Sequence, residues 1–215
     1  KAKNWNEFKN AVSGFSIPGQ NFIYGDKDGN IGYVFGARLP LRKNNNPTFV
    51  FDGTTTVNDW KGYVNRDELP VFLNPKENFI ATANNKTSKD FKYHISNLWE
   101  PSSRIERINE LLHSKKKHSV DDFKLYQNDI VSPYAKQITK HILEAFNGIK
   151  INNYNLKQSI KLFENWDFEF GEFSQTPAVY AVFYKHLMEN IFLDEMGEDL
   201  FNEYIFVANV PYRSI

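Results

Sequence analysis

The sequence predicts an α+β fold, sheet-rich in its first hundred residues and helical after residue 100. Three observations carry that prediction. Two short apolar runs, residues 21–26 and 31–36, flank Asp26-Lys27-Asp28-Gly29-Asn30, and Asp-Gly supplies the positive φ values of a tight hairpin turn. From Pro101 to about Met196 the apolar residues follow a helical period instead. The aromatic load, 19 Phe, 11 Tyr and 4 Trp, demands a packed core and argues against disorder.

In chain order, Trp5, Phe8, Ala11 and Val12 sit at helical spacing and predict a short amphipathic helix, broken at Ser16-Ile17-Pro18-Gly19-Gln20. The hairpin strands follow, and Gly32 and Gly36 within the second predict close backbone approach or a bulge. Asp26 and Asp28 echo a calcium loop, but no bidentate glutamate follows at the required distance, and a turn accounts for all five residues. Lys43-Asn44-Asn45-Asn46-Pro47 reads as an exposed polar loop, and residues 48–53 as a short strand or extended segment. Trp60 reads as a packing anchor rather than a substrate-stacking ring.

Asn74-Pro75 opens a turn, because proline fixes its own φ and pushes the residue before it out of the helical region. Phe79-Ile80-Ala81-Thr82-Ala83 then predicts a short strand running into two carboxamides, Asn84 and Asn85. A carboxamide fixed at the end of a buried strand offers an N–H donor that cannot ionise, the kind of group that holds a developing oxyanion. Taken alone the stretch favours the plainer reading, in which Asn-Asn starts a loop because asparagine tolerates the left-handed region.

Past residue 100, Ser102 and Ser103 offer N-caps for a helix carrying Ile105, Ile108, Leu111 and Leu112. Ser119-Val120-Asp121-Asp122 has capping-box spacing. Residues 133–146 predict a third helix stopped at Asn147-Gly148, and residues 154–163 and 177–195 two more. Lys115-Lys116-Lys117-His118 reads as a solvated loop, and residues 204–208 as a last helix or strand.

Lys plus Arg and Asp plus Glu are 26 each, so no net field draws the chain to nucleic acid or an anionic membrane. No apolar run is long enough to span a bilayer. The absence of cysteine excludes disulfides, thiolate zinc sites and cysteine nucleophiles. His94, His113, His118, His141 and His186 form no metal-ligand pattern, and neither a phosphate loop nor a Gly-x-Ser-x-Gly elbow is present.

Several phrases in fixed order add to this reading. Gln20-Asn21-Phe22-Ile23-Tyr24-Gly25-Asp26, with Asp28-Gly29-Asn30-Ile31-Gly32-Tyr33, is followed by Gly36-Ala37-Arg38-Leu39-Pro40-Leu41-Arg42 and by Asp59-Trp60-Lys61-Gly62. After Glu68-Leu69-Pro70 come Asn74-Pro75, Phe79-Ile80-Ala81-Thr82-Ala83-Asn84-Asn85, then Trp99-Glu100-Pro101-Ser102-Ser103-Arg104-Ile105-Glu106-Arg107-Ile108 and Gln127-Asn128-Asp129. Over roughly residues 15–135 the chain resembles the penicillin amidase (penicillin acylase) family of N-terminal-nucleophile hydrolases. The helical remainder is similar to the insertion these enzymes carry in the large subunit.

The resemblance implies a partial four-layer αββα sandwich over residues 1–100, an all-helical region over 101–200, and at 201–215 a tail or the start of a further element. It implies a zymogen that matures by self-cleavage, exposing a serine whose own α-amino group serves as base, and acyl transfer from a linear amide through an acyl-enzyme. Asn84 matches the asparagine that stabilises the oxyanion, and Arg104 the arginine that supports the site, where its planar fork can brace carboxamide and carboxylate groups. A helix-surface salt bridge is the plainer reading of Arg104.

No cofactor is implied. Some members bind a structural calcium partly through this region, and the position that would supply a carboxylate falls near Tyr93, with Asp90 the nearest acid, so no metal ligand is assigned. Nothing here matches the family nucleophile, and Lys1 stands beside no hydroxyl. The chain is therefore expected to be an internal segment, inactive alone, whose partners are the small subunit and the rest of the large one. It is also expected to expose an apolar patch where strands of the precursor would pair. The expected substrate is a penicillin-like or N-acyl amide, acyl-homoserine lactones included, with antibiotic biosynthesis the associated process. No nucleic-acid or membrane partner is expected, and a periplasmic or exported setting follows from the family alone. The alternatives are a relative without its nucleophile, acting as a binding module, and a self-standing helical adaptor at 101–215.

Overall fold

The computed structural model describes residues 1–43, 49–207, 211 and 214. The chain divides into two compact units, Lys1–Trp99 and Glu100–Ile215. Among the described residues it is mixed α/β, with one three-stranded sheet and six α-helices.

In the first unit, helix α1 (Trp5–Val12) starts at Asn4, whose side chain accepts the Glu7 N–H at 3.0 Å. Strands β1 (Gln20–Gly25) and β2 (Ile31–Gly36) form the predicted antiparallel hairpin, with Gly25 opposite Ile31. Asp26 organises its turn: Oδ1 accepts the N–H groups of Asp28 and Asn30, each at 2.9 Å, while Oδ2 accepts from the Asn30 amide and the Tyr24 hydroxyl. Those bonds, from Asn30 foremost, hold its carboxyl at a pKa of about 2.

The glycines of β2 serve close approach. A Cβ on Gly32 would meet the Trp5 ring at 2.4 Å, and one on Gly36 the Phe22 ring at 2.5 Å. On the other face, Tyr33 and Phe35 continue into Ala37 and Leu39 and form a core with Val64 and Leu69. Beyond the sheet the chain keeps pairing: Leu41 N–H donates to Gly62 C=O and Val64 N–H to Leu39 C=O, both at 2.9 Å.

Three readings of this unit need correction. The third strand is β3 (Val71–Leu73), antiparallel to β2 with Val34 opposite Val71, a run too short to announce itself by alternation. Residues 79–83 form no ladder, and neither do residues 49–53; residues 44–48 lie outside the described residues. Strand propensity expresses a fit to a pleated surface, and without a paired neighbour it does not make a strand. Trp60 is 57% exposed and packs edge-on to Tyr63 with the Arg42 guanidinium 5.7 Å from its ring, so it does not anchor the core. The outer strands carry exposed apolar side chains, Ile23 on β1 and Val71, Phe72 and Leu73 on β3, and among the described residues nothing pairs with their outer edges.

The second unit contains α2 (Ser103–His113), α3 (Val120–Gln127), α4 (Pro133–Phe146), α5 (Tyr154–Glu164) and α6 (Gln175–Phe206). Ser119 and Asp122 close the capping box, and Ser132 caps α4 through the Ala135 N–H at 3.1 Å with Pro133 at its first turn. Ser102 occupies the cap of α2 in a helical conformation and makes no side-chain cap bond. Ala135, Ile138 and Ile142 line one face of α4 and pack with Ile160, Phe163, Trp166 and Tyr180. The α6 helix is interrupted at Gly197 (φ 73°), close to the predicted stop, and then resumes. Tyr204, Ile205 and Phe206 are thus helical, while Ala208 lies outside the described residues. In the Lys115-Lys116-Lys117-His118 run, Lys115 pairs with Asp122, and His118 bonds the Tyr126 hydroxyl at 2.9 Å and the Leu112 carbonyl at 3.0 Å.

Candidate active site

The loop that carries Asn84 is held at both ends by the core of the first unit. Ile80 enters it on one side, and Phe91, Tyr93 and Ile95 on the other. Between them Ala83 is buried, and its N–H donates to Asn85 Oδ1 at 2.9 Å. That side-chain bond closes a tight local turn, and Asn84 at its apex takes φ 58°, a left-handed value that asparagine tolerates better than most residues. The two carboxamides thus divide the work. Asn85 braces the backbone, and Asn84 is presented at the surface.

Past the apex, the Thr87 hydroxyl lies 3.1 Å from the hydroxyl of Tyr33, which is 1% exposed and donates to Asn21 Oδ1 at 2.6 Å. Burial raises the pKa of Tyr33, so the phenol stays neutral. Lys86, two residues after Asn84, lines a cavity of about 240 Å³ with Phe91, Tyr93, His94 and Trp99. Desolvation, with the nearby Arg42 charge, lowers the pKa of His94.

The region near Tyr93 does not fit a calcium ligand set. The Tyr93 hydroxyl donates to Glu68 at 3.1 and 3.2 Å, and Lys92 pairs with that carboxylate at 2.6 Å, so an ammonium already holds the place of a cation. Asp90 is exposed. Among the described residues no three His, Asp or Glu side chains converge as a metal site, and no helix is long and apolar enough to cross a membrane.

Arg104 lies in the first turn of α2 and is exposed. A cation there opposes the helix dipole by about 0.3–1 kcal/mol. Asn84 belongs to the first unit and Arg104 to the second. Reading the sequence missed Arg107 and Asp129, which form a two-bond ion pair, and Tyr33; the phrases that contain them were visible, but nothing in spacing shows which side chains meet across twenty-two residues.

A family model described as Penicillin amidase matches residues 1–213. The chain is 28% identical over 180 residues to a penicillin acylase 2 proenzyme from Pseudomonas sp. (strain SE83), covering 82% of this chain and 23% of that protein. It is 33% identical over 124 residues to penicillin G acylase from Escherichia coli, covering 56% of this chain and 14% of the other. An acyl-homoserine lactone acylase QuiP from Pseudomonas syringae pv. tomato is 25% identical over 190 residues, 83% of this chain and 23% of its own length. Among solved structures, a thermostable penicillin G acylase from Alcaligenes faecalis superposes with a TM-score of 0.80 at 22% identity, over 95% of this chain and 38% of the other. The chain thus spans less than a quarter of the length of each of these three curated relatives.

Proposed function

The chain belongs to the penicillin amidase family, and on that premise we propose that the protein containing it is an acylase that cleaves linear amides. The nucleophile is a serine outside these 215 residues, exposed at a new N-terminus when the precursor cleaves itself. Its hydroxyl attacks the amide carbonyl while its α-amino group takes the proton, and the amine leaves as the acyl-enzyme forms; water then releases the acid. The negative charge that gathers on the carbonyl oxygen is met by the Asn84 carboxamide. The sheet of the first unit forms part of an αββα sandwich that other precursor segments complete. The protein is processed into subunits and works in the periplasm or outside the cell.

The observation that carries this reading is the turn at Ala83, Asn84 and Asn85. A neutral donor works on an oxyanion only if it is fixed before the charge appears. Here one carboxamide is used to lock the backbone, and its neighbour stands at the apex of the locked turn. Penicillin-like amides and N-acyl homoserine lactones are the substrate classes to assay, since relatives named for both are similar to this chain.

The test is Asn84→Ala in the full-length, matured protein. Turnover should fall about 10²–10³-fold with the fold intact, the usual effect of removing one oxyanion donor. Unchanged turnover removes Asn84 from the mechanism. A precursor with no serine, threonine or cysteine at a cleavage junction upstream of Lys1 would instead be the nucleophile-less binding module.

A further inference from the structure

The hydroxyl of Tyr33 is an expensive group to bury. The residue is 1% exposed, in the middle of β2, with its ring stacked on Phe72 at 4.9 Å and 13° between planes. Phenylalanine would fill the same space and leave no polar atom to satisfy. The hydroxyl is retained with two partners on different parts of the chain, Asn21 on β1 and Thr87 in the loop after Asn84.

The proton inventory fixes the direction of these bonds. Asn21 Oδ1 can only accept, so the single Tyr33 proton goes to it, and the Thr87 hydroxyl must donate to the Tyr33 oxygen. Thr87 is three residues past Asn84. The turn at Asn84 is closed on itself by Asn85, and the loop is packed at Ile80 and at Phe91, seven residues past Asn84. The Tyr33–Thr87 bond ties the intervening stretch directly to the sheet.

We propose that Tyr33 is a positioning residue for Asn84, acting through Thr87 to hold the oxyanion-binding carboxamide in place. This rests on the function assigned to Asn84 above. Tyr33 touches no substrate; it fixes the segment from which the carboxamide projects. A displacement near 1 Å of such a donor is enough to cost one or two orders of magnitude in rate.

The experiment uses the full-length, matured protein and five variants: Asn84→Ala, Tyr33→Phe, Thr87→Val, and each of the last two combined with Asn84→Ala. Tyr33→Phe and Thr87→Val should each lower kcat by about tenfold with KM nearly unchanged. In the Asn84→Ala background neither should lower kcat further, because the group they position is gone. A purely structural role for the hydroxyl predicts the same loss in both backgrounds, and that result overturns the proposal. Wild-type kcat in both single variants also overturns it. If Tyr33→Phe does not mature, Thr87→Val reads the same bond from the other side. Asn84→Ala at wild-type turnover refutes the assignment of Asn84 itself, and the positioning role falls with it.

Discussion

Arg107 and Asp129 are twenty-two residues apart and meet as a planar pair, Nε–H to Oδ1 at 2.9 Å and Nη2–H to Oδ2 at 2.6 Å. A third guanidinium nitrogen, Nη1, donates to Glu110 at 2.8 Å. The pair ties α2 to the segment ahead of α4, where Asp129 Oδ1 also accepts the Val131 N–H at 3.3 Å. One residue comes from the phrase that runs Trp99 to Ile108 and the other from Gln127-Asn128-Asp129. A single contact therefore gives two separate phrases a common physical purpose.

Asp129→Ala should destabilise the second unit by about 2–3 kcal/mol, because the guanidinium, only 21% exposed, loses two charge-assisted bonds. Arg107→Lys should recover little, since an ammonium cannot make the fork. Urea unfolding followed by circular dichroism reads both. A loss under about 0.5 kcal/mol would place the pair among ordinary surface ion pairs.

The same carboxylates set the acid limb of stability. The Arg107 bonds hold the Asp129 carboxyl below its usual 3.8. The Asp122 carboxyl is held at about 2, by Lys115 first and then by Ser119. A group whose pKa is depressed by folding contributes fully above its unfolded value, and the contribution is lost as pH falls through the folded value. The thermal midpoint should thus be flat from pH 7 to 5 and drop between about pH 4 and 2. Asp129→Asn should lower the midpoint at pH 7 and shrink that drop; an unchanged drop would remove Asp129 from the acid limb.

Much of this was legible in the sequence because the deciding interactions are local. Asp26, Gly29 and Asn30 specify the hairpin turn within five residues, Ser119 and Asp122 start α3 within four, and Pro133 and Asn147 bracket α4. The failures are non-local. Residues 79–83 have strand composition but no ladder, and Val71–Leu73 becomes a strand only because β2 lies beside it. At the site, the phrase around Asn84 was visible, but not that Asn85 would lock its backbone or that Tyr33 would reach Thr87 across 54 residues. Bonds of that span depend on tertiary placement, which neither periodicity nor propensity encodes.

Gly32→Ala tests the packing of α1 on the sheet. The added methyl would lie 2.4 Å from the Trp5 ring, so the indole must move, and it is itself packed on Phe8 and Tyr24. The expected cost is about 1–3 kcal/mol, as for other overpacked sites. Gly25→Ala, where nothing lies within 4 Å, is the control and should stay within about 0.5 kcal/mol. Equal midpoints for the two variants in thermal unfolding would mean that Trp5 does not pack on β2.

Thr139 offers the opposite case, a substitution that should stabilise. It lies on α4, one turn after Ala135, and is 1% exposed. Its hydroxyl oxygen has no hydrogen-bond partner among the described residues. An unsatisfied buried hydroxyl costs about 1–3 kcal/mol, and valine replaces it with a methyl of nearly the same shape. Helix propensity hardly separates the two residues, so the difference reports on burial. Thr139→Val should raise stability by about 1 kcal/mol. Thr139→Ser, which keeps the hydroxyl and deletes the methyl, should lower it by a similar amount. The opposite order, with serine tolerated and valine destabilising, would mean that the hydroxyl is bonded in solution, most simply to the carbonyl of Ala135 one turn back.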